Sequence, residues 1–158
     1  MNALKLAIRA MAGAAVAVSL GACAVSVGNS RGGSTTAAAS EPVKAVYHLT
    51  LGIDEAQRGM GNIRNHLAAD PSAKIVVVGN GNGIEFMLDG AKDRNGNPFD
   101  ATIQDLKSKG VEFRLCNNTL VTRKIDKSKV IPEVTIVPSG VAEAARLQAR
   151  EGFVYIRP

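Results

Sequence analysis

Apolar and polar positions along residues 42–158 switch repeatedly between the two-residue period of a strand and the longer period of a helix. Residues 44–50 (KAVYHLT) are β-branched and aromatic and end near Gly52, which predicts a first strand. Met60, Ile63 and Leu67 then recur at helical spacing. Asp54 and Gln57 have the spacing of a D-x-x-Q capping box at the start of that helix. Asp70-Pro71 ends it, because a residue before proline is pushed out of the α region. Residues 74–78 (KIVVV) are apolar without alternation, the pattern of a central strand covered on both faces. A glycine-rich turn follows at residues 79–83, then a short helix over residues 84–88. Asn97-Pro98 predicts a helix start, with Phe99, Ile103 and Leu106 on its inner face and Gly110 just past its end.

Residues 111–116 form a third strand with a sharper alternation. Val111, Phe113 and Leu115 point one way; Glu112, Arg114 and Cys116 point the other. The second face therefore lies at a sheet edge, in a cleft or against another subunit. Residues 117–126 predict a turn and short helix. Residues 134–137 predict a fourth strand, Ser139 caps a last helix over residues 141–151, and residues 153–156 predict a fifth strand. Strand and helix alternate throughout, so the fold class is α/β: a three-layer sandwich around a mostly parallel five-stranded sheet. In such sheets ligands bind beyond the carboxyl ends of the strands. The turns after His48, at residues 79–83 and at Cys116-Asn117-Asn118 meet there.

The chain's first forty residues follow a different logic. Lys5 and Arg9 precede an apolar run over residues 10–20 that is short for a membrane span. Leu20-Gly21-Ala22-Cys23 matches a lipoprotein signal box with Cys23 as the lipidated residue, while Ala22-Cys23-Ala24 also fits ordinary signal-peptidase cleavage. Residues 1–23 read as a signal peptide, residues 24–41 as a flexible Gly/Ser/Thr/Ala linker, and residues 42–158 as one domain. The expected location is the periplasm, with membrane contact only through a lipid anchor. The sequence carries 19 Lys+Arg against 14 Asp+Glu. Without Lys5 and Arg9 the excess is mild and gives no reason to expect nucleic acid.

Either cleavage leaves Cys116 as the only thiol, with no partner in its own chain. It is then inert and buried, paired between chains, or kept for chemistry. A thiol between a strand end and a helix start meets backbone N–H groups, which favour the thiolate. Arg114, Arg123 or Lys124 add positive charge nearby. His48, near the end of the first strand, is a candidate base or hydrogen-bond partner at the same cleft, or a structural histidine. His66 reads as a surface or interface residue. Gly79, Asn80 and Gly81 read as a tight turn bringing backbone close to Cys116; they lack both the dinucleotide fingerprint and a Walker lysine. Asn117 and Asn118 offer amides to an anion, or simply shape a turn. No metal-ligand spacing and no cofactor motif is present. The basic run over residues 123–129 reads as a solvated loop, or as a dock for an acidic partner or anionic headgroups. Three functions fit: a thiol-redox protein acting through Cys116, a non-catalytic binding or assembly module in which Cys116 is structural, and hydrolysis with His48 as base.

Six stretches then carry a resemblance across nearly the whole domain: VYHL at residues 46–49, NIRNHL at 62–67, KIVVVGNGNGIEFMLDG at 74–90, GVEFRLCNNTL at 110–120, VTIVPSGVAEAARLQ at 134–148 and EGFVYIRP at 151–158. Through them the chain resembles the DsrE/DsrF-like family, which implies a YchN-like α/β fold. The resemblance further implies a sulfur relay through a cysteine after the third strand, a position that Cys116 matches. It implies at most a sulfurtransferase-like carrier, assembled as a homo-oligomer (trimer or hexamer) and exchanging sulfur with a donor or acceptor protein. The export signal sets the chain apart from the family's cytoplasmic relay members and argues against tRNA thiolation.

Overall fold

A computed structural model describes residues 41–158. The signal peptide, Cys23 and all of the linker except Glu41 lie outside the described residues. Five strands, β1 (Lys44–Leu49), β2 (Lys74–Gly79), β3 (Glu112–Cys116), β4 (Thr135–Val137) and β5 (Val154–Ile156), form one sheet in the order β4-β3-β2-β1-β5. Every neighbouring pair is parallel. The sheet is thus parallel throughout, in keeping with the parallel or mostly parallel sheet expected from the sequence pattern.

Four α-helices connect the strands: α1 (Ile53–Ala69), α2 (Phe99–Ser108), α3 (Asn117–Arg123) and α4 (Gly140–Glu151). The larger core lies on one face, where Tyr47, Ile75, Val77, Phe113 and Leu115 meet Met60 and Ile63 of α1, Ile103 and Leu106 of α2, and Leu120 of α3. The opposite face has a smaller core in which Val46, Val76 and Val78 pack against Leu147 of α4. β2 is buried on both sides between these layers, which is why residues 74–78 show no alternation. Each fully buried Val or Ile of that strand contributes roughly 1.5–3 kcal/mol.

The strand order explains the unequal layers. From β1 to β4 the chain steps across the sheet in one direction; it then returns past β1 to β5. A right-handed crossover run backwards must lie on the opposite face. α4 alone makes that return. The connections leaving β3 and β4 therefore diverge to opposite faces and open a crevice between the two strand ends.

Two local expectations change. Asp54 and Gln57 do not form a capping box. The helix start is Gly52, in the left-handed region at φ 99° with no side-chain cap of its own. Asp54 instead pairs with Arg94, and Gln57 accepts the Arg94 N–H. Glu55 takes over the work at this end. Its carboxylate, wholly buried, accepts the N–H groups of Thr50 at 2.5 Å and Leu51 at 2.6 Å. Second, the short helix expected over residues 84–88 starts earlier and is a 3₁₀ helix, over residues 81–87. Its glycines are there for space: a Cβ on Gly83 would lie 2.0 Å from the Leu49 carbonyl oxygen.

The polar face of β3 is neither a free edge nor an open surface, since β3 sits between β2 and β4 under α4. Arg114 is engaged there by Glu112 and by Glu143 of α4, and Glu143 also binds Arg146 at 2.8 Å.

Candidate functional site

β3 ends where Asn117-Asn118, poor strand formers, begin α3. Cys116 occupies the cap position of that helix in extended conformation (φ −70°, ψ 113°). Its sulfur stands in the crevice between the diverging ends of β3 and β4. Burial pushes the Cys116 thiol up, but four donors outweigh it: the Gly140 N–H, the Thr119 hydroxyl, the Thr119 N–H and, least, the Asn118 N–H, which it shares with the Pro138 carbonyl at 3.3 Å. The net effect holds the thiol below its ordinary range. No side-chain hydrogen bond caps α3; its first N–H groups turn the positive ends of their backbone dipoles toward the sulfur. Thr119 is itself fixed, because its Oγ1 accepts the Gly81 N–H at 3.1 Å.

Gly140 is the close-approach residue. A Cβ placed on it would lie 3.1 Å from the Cys116 Cβ, 3.2 Å from the Asn80 Cβ and 3.3 Å from the Gly79 carbonyl oxygen. Only a bare backbone lets the start of α4 press its N–H onto the sulfur. Ser139 fixes this start, accepting the Ala142 N–H.

A cleft of about 510 Å³ opens above the sulfur, with Asn80, Gly81, Asn118, Thr119, Arg123 and Val141 among its walls. Cys116 lines it yet is only 4% exposed. Arg123 covers the glycine turn, held by Glu85 at 3.1 Å and reaching the Gly81 carbonyl at 3.4 Å.

Of the residues singled out from sequence, Cys116, Asn80, Gly81 and Asn118 meet at this cleft. Gly79 lies just below it, where its backbone runs tightly against Gly83. Asn117 does not join them. It lines a separate depression with Lys127, Ile136, Val137 and Pro138, and its buried Oδ1 has no partner. His48 is also off the cleft wall: it is 8% exposed, with Nε2 2.8 Å from Asn80 Oδ1 and Nδ1 2.9 Å from the Tyr155 hydroxyl. It touches the site only through Asn80. Arg114 spends its charge on Glu112 and Glu143 rather than on the thiol. His66 is part-buried, 3.0 Å from the Tyr47 hydroxyl.

Thr119 and Gly140 are the site residues that sequence reasoning misses. Thr119 had a legible signal, since a hydroxyl three residues beyond a cap position reaches back to it. Gly140 had none, because its neighbour Cys116 comes from a strand 24 positions earlier in the sequence. Among the described residues, no three His, Cys, Asp or Glu side chains gather as a metal site needs.

A model of the DsrE/DsrF-like family matches residues 4–158. Among solved structures, the chain is similar to a protein of unknown function from Methanobacterium thermoautotrophicum, at 28% identity and a TM-score of 0.64. The match covers 73% of this chain and 99% of that one. It also shares its fold with the ychN protein from E. coli, at 14% identity and a TM-score of 0.56 over the same shares of both chains. No curated protein matches.

Proposed function

This chain belongs to the DsrE/DsrF-like family, and from that premise we propose that it handles sulfur through Cys116, as a persulfide carrier or in thiol redox exchange. The observation that carries the reading is the sulfur's setting: four donors hold the thiol below its ordinary range at the floor of an open cleft. A thiolate is the nucleophile in sulfur transfer.

The chemistry needs little else. The Cys116 thiolate attacks the sulfane sulfur of a donor such as thiosulfate. A new Sγ–S bond forms, the donor's S–S bond breaks, and sulfite leaves with its electron pair. The outer sulfur then carries the negative charge that Sγ carried before, and no external oxidant or reductant is consumed. Passing that sulfur to an acceptor thiolate reverses the same steps. The signal-like residues 1–23 support a periplasmic, lipid-anchored setting. Exposed Leu51, Val121 and Val141 support assembly into a homo-oligomer.

One observation favours a second reading. Cys116 is almost wholly covered, as a structural cysteine in a binding or assembly module would be. Intact mass before and after thiosulfate separates the two. The carrier gains one sulfur atom, reversibly by reductant, and Cys116→Ser gains none. A wild-type thiol that takes no sulfur and resists alkylation in the folded state establishes the structural reading.

A further inference from the structure

We propose that Asn80 donates a hydrogen bond to the outer sulfur of a group carried on Cys116, and that His48 and Tyr155 are positioning residues that turn its amide to do so. The inference rests on the sulfur-handling reading above.

The backbone of Asn80 is pinned at both of its polar groups. Its N–H bonds the Leu49 carbonyl at 3.1 Å and its carbonyl accepts the Gly83 N–H at 3.0 Å. Its side chain therefore starts from a fixed point. That point is beside Cys116, because one position above Gly140 lies within 3.2 Å of both Cβ atoms.

The direction of the amide follows from its partners. Asn80 Oδ1 lies 2.8 Å from His48 Nε2, so Nε2 carries the ring proton and donates it. Nδ1 is then a bare lone pair and accepts the Tyr155 hydroxyl at 2.9 Å. The ring stands edge-on to Tyr155 and is itself buried, which keeps it from turning. With Oδ1 taken up, the planar amide directs its NH₂ away from the histidine. That NH₂ has no hydrogen-bond partner among the described residues, on a side chain that lines the cleft.

The free thiolate does not use this donor: its own four come from Gly140, Thr119 and Asn118. Asn80 is available for the next atom outward. A persulfide places its negative charge there, where a second donor is worth most.

Two measurements test the proposal. In the wild-type protein, ¹⁵N resonances of His48 are expected to report Nε2 protonated and Nδ1 unprotonated; the opposite tautomer overturns the assigned amide direction. In the second, thiosulfate loading of Cys116 is followed by intact mass, together with the pH midpoint of Cys116 alkylation. Asn80→Ala is expected to lower the loaded fraction at equilibrium about tenfold, the low end for a hydrogen bond to a charged group, while leaving the alkylation midpoint in place. Tyr155→Phe is expected to lower loading about two- to threefold through the loss of one neutral hydrogen bond, and to have no further effect in an Asn80→Ala background. A structural role for Tyr155 predicts additive losses instead. Equal loading of Asn80→Ala and wild type refutes the donor role and leaves the carrier reading standing. A wild-type protein that takes no sulfur refutes both.

Discussion

Thr119→Val removes one donor from Cys116 while keeping side-chain shape, the exposed Gly81 N–H that Thr119 accepts turning to water, and its effect can be worked through. Of the four groups that stabilise the thiolate, the Thr119 hydroxyl is the only side chain and so the only one removable without moving backbone. A hydrogen bond to a charged group is worth about 1.5–3 kcal/mol. Thr119 is only part-buried, and water entering the cleft recovers some of that, leaving about 1.4 kcal/mol, or about one pKa unit, by which the Cys116 midpoint rises. A higher pKa also makes the thiolate intrinsically more nucleophilic, by about threefold per unit in disulfide exchange. The two effects oppose each other in a defined way. Well below both midpoints the thiolate fraction falls about tenfold and the net rate about threefold; above both, the variant is about threefold faster. The assay is the rate of reaction with an aromatic disulfide across pH, with Thr119→Ser as the variant that retains the hydroxyl. Rate profiles of wild type and Thr119→Val that superimpose, without crossing, refute the donor account of the site.

Three further outcomes follow from the geometry. Gly83→Ala forces a Cβ to 2.0 Å from the Leu49 carbonyl oxygen and is expected to cost at least ~3 kcal/mol. Gly61→Ala, in α1 with nothing within 4 Å, is expected to gain ~0.5–1 kcal/mol; urea unfolding reads both, and equal signs refute the steric reasoning. Glu55→Ala strands the Thr50 and Leu51 N–H groups and is expected to cost roughly 3 kcal/mol, against about 1 for Glu55→Gln; denaturant midpoints that do not separate the two variants count against the role assigned to Glu55. Because folding lowers the Cys116 pKa, its contribution is full above the ordinary thiol range and is lost as pH falls through the folded value. The stability of wild type relative to Cys116→Ser, under reductant, is therefore expected to rise with pH across that window; a fall reverses the sign of the shift.

Period and punctuation made the elements legible. The unbroken apolar run at residues 74–78 reads as a buried central strand, and β2 is one. Ser139 and Gly152 mark the ends of α4 in the sequence, and both act there, Ser139 as its cap and Gly152 at φ 74°. What failed depended on neighbours far along the chain. Asp54 and Gln57 have capping-box spacing, yet Arg94 claims both. His48 looked like a cleft residue because it lies near a strand end, but its ring is held one layer back by Asn80 and Tyr155. Asn117 and Asn118 are adjacent in sequence, and the first turn of α3 sends them to different depressions.

Strand order is the piece that no local pattern carries, and the site depends on it. With β4 at one edge and β5 at the other, α4 must cross β3, β2 and β1 on the face opposite α1, α2 and α3. Among the described residues, the only point where adjacent strands send their connections to opposite faces is between β3 and β4, the crevice in which α/β sheets bind ligands. Cys116 is the last residue of β3, in register with Val137 of β4. The chain then needs just Pro138 and Ser139 before α4 begins at Gly140. Such a short turn brings the first N–H of α4 onto the sulfur, and does so only if residue 140 has no Cβ. The donors on Cys116 therefore come from two helices that diverge from one crevice. A fold with the same elements but with β5 added beside β4 would keep α4 on the face of α1, and would lose the Gly140 donor while retaining those of α3.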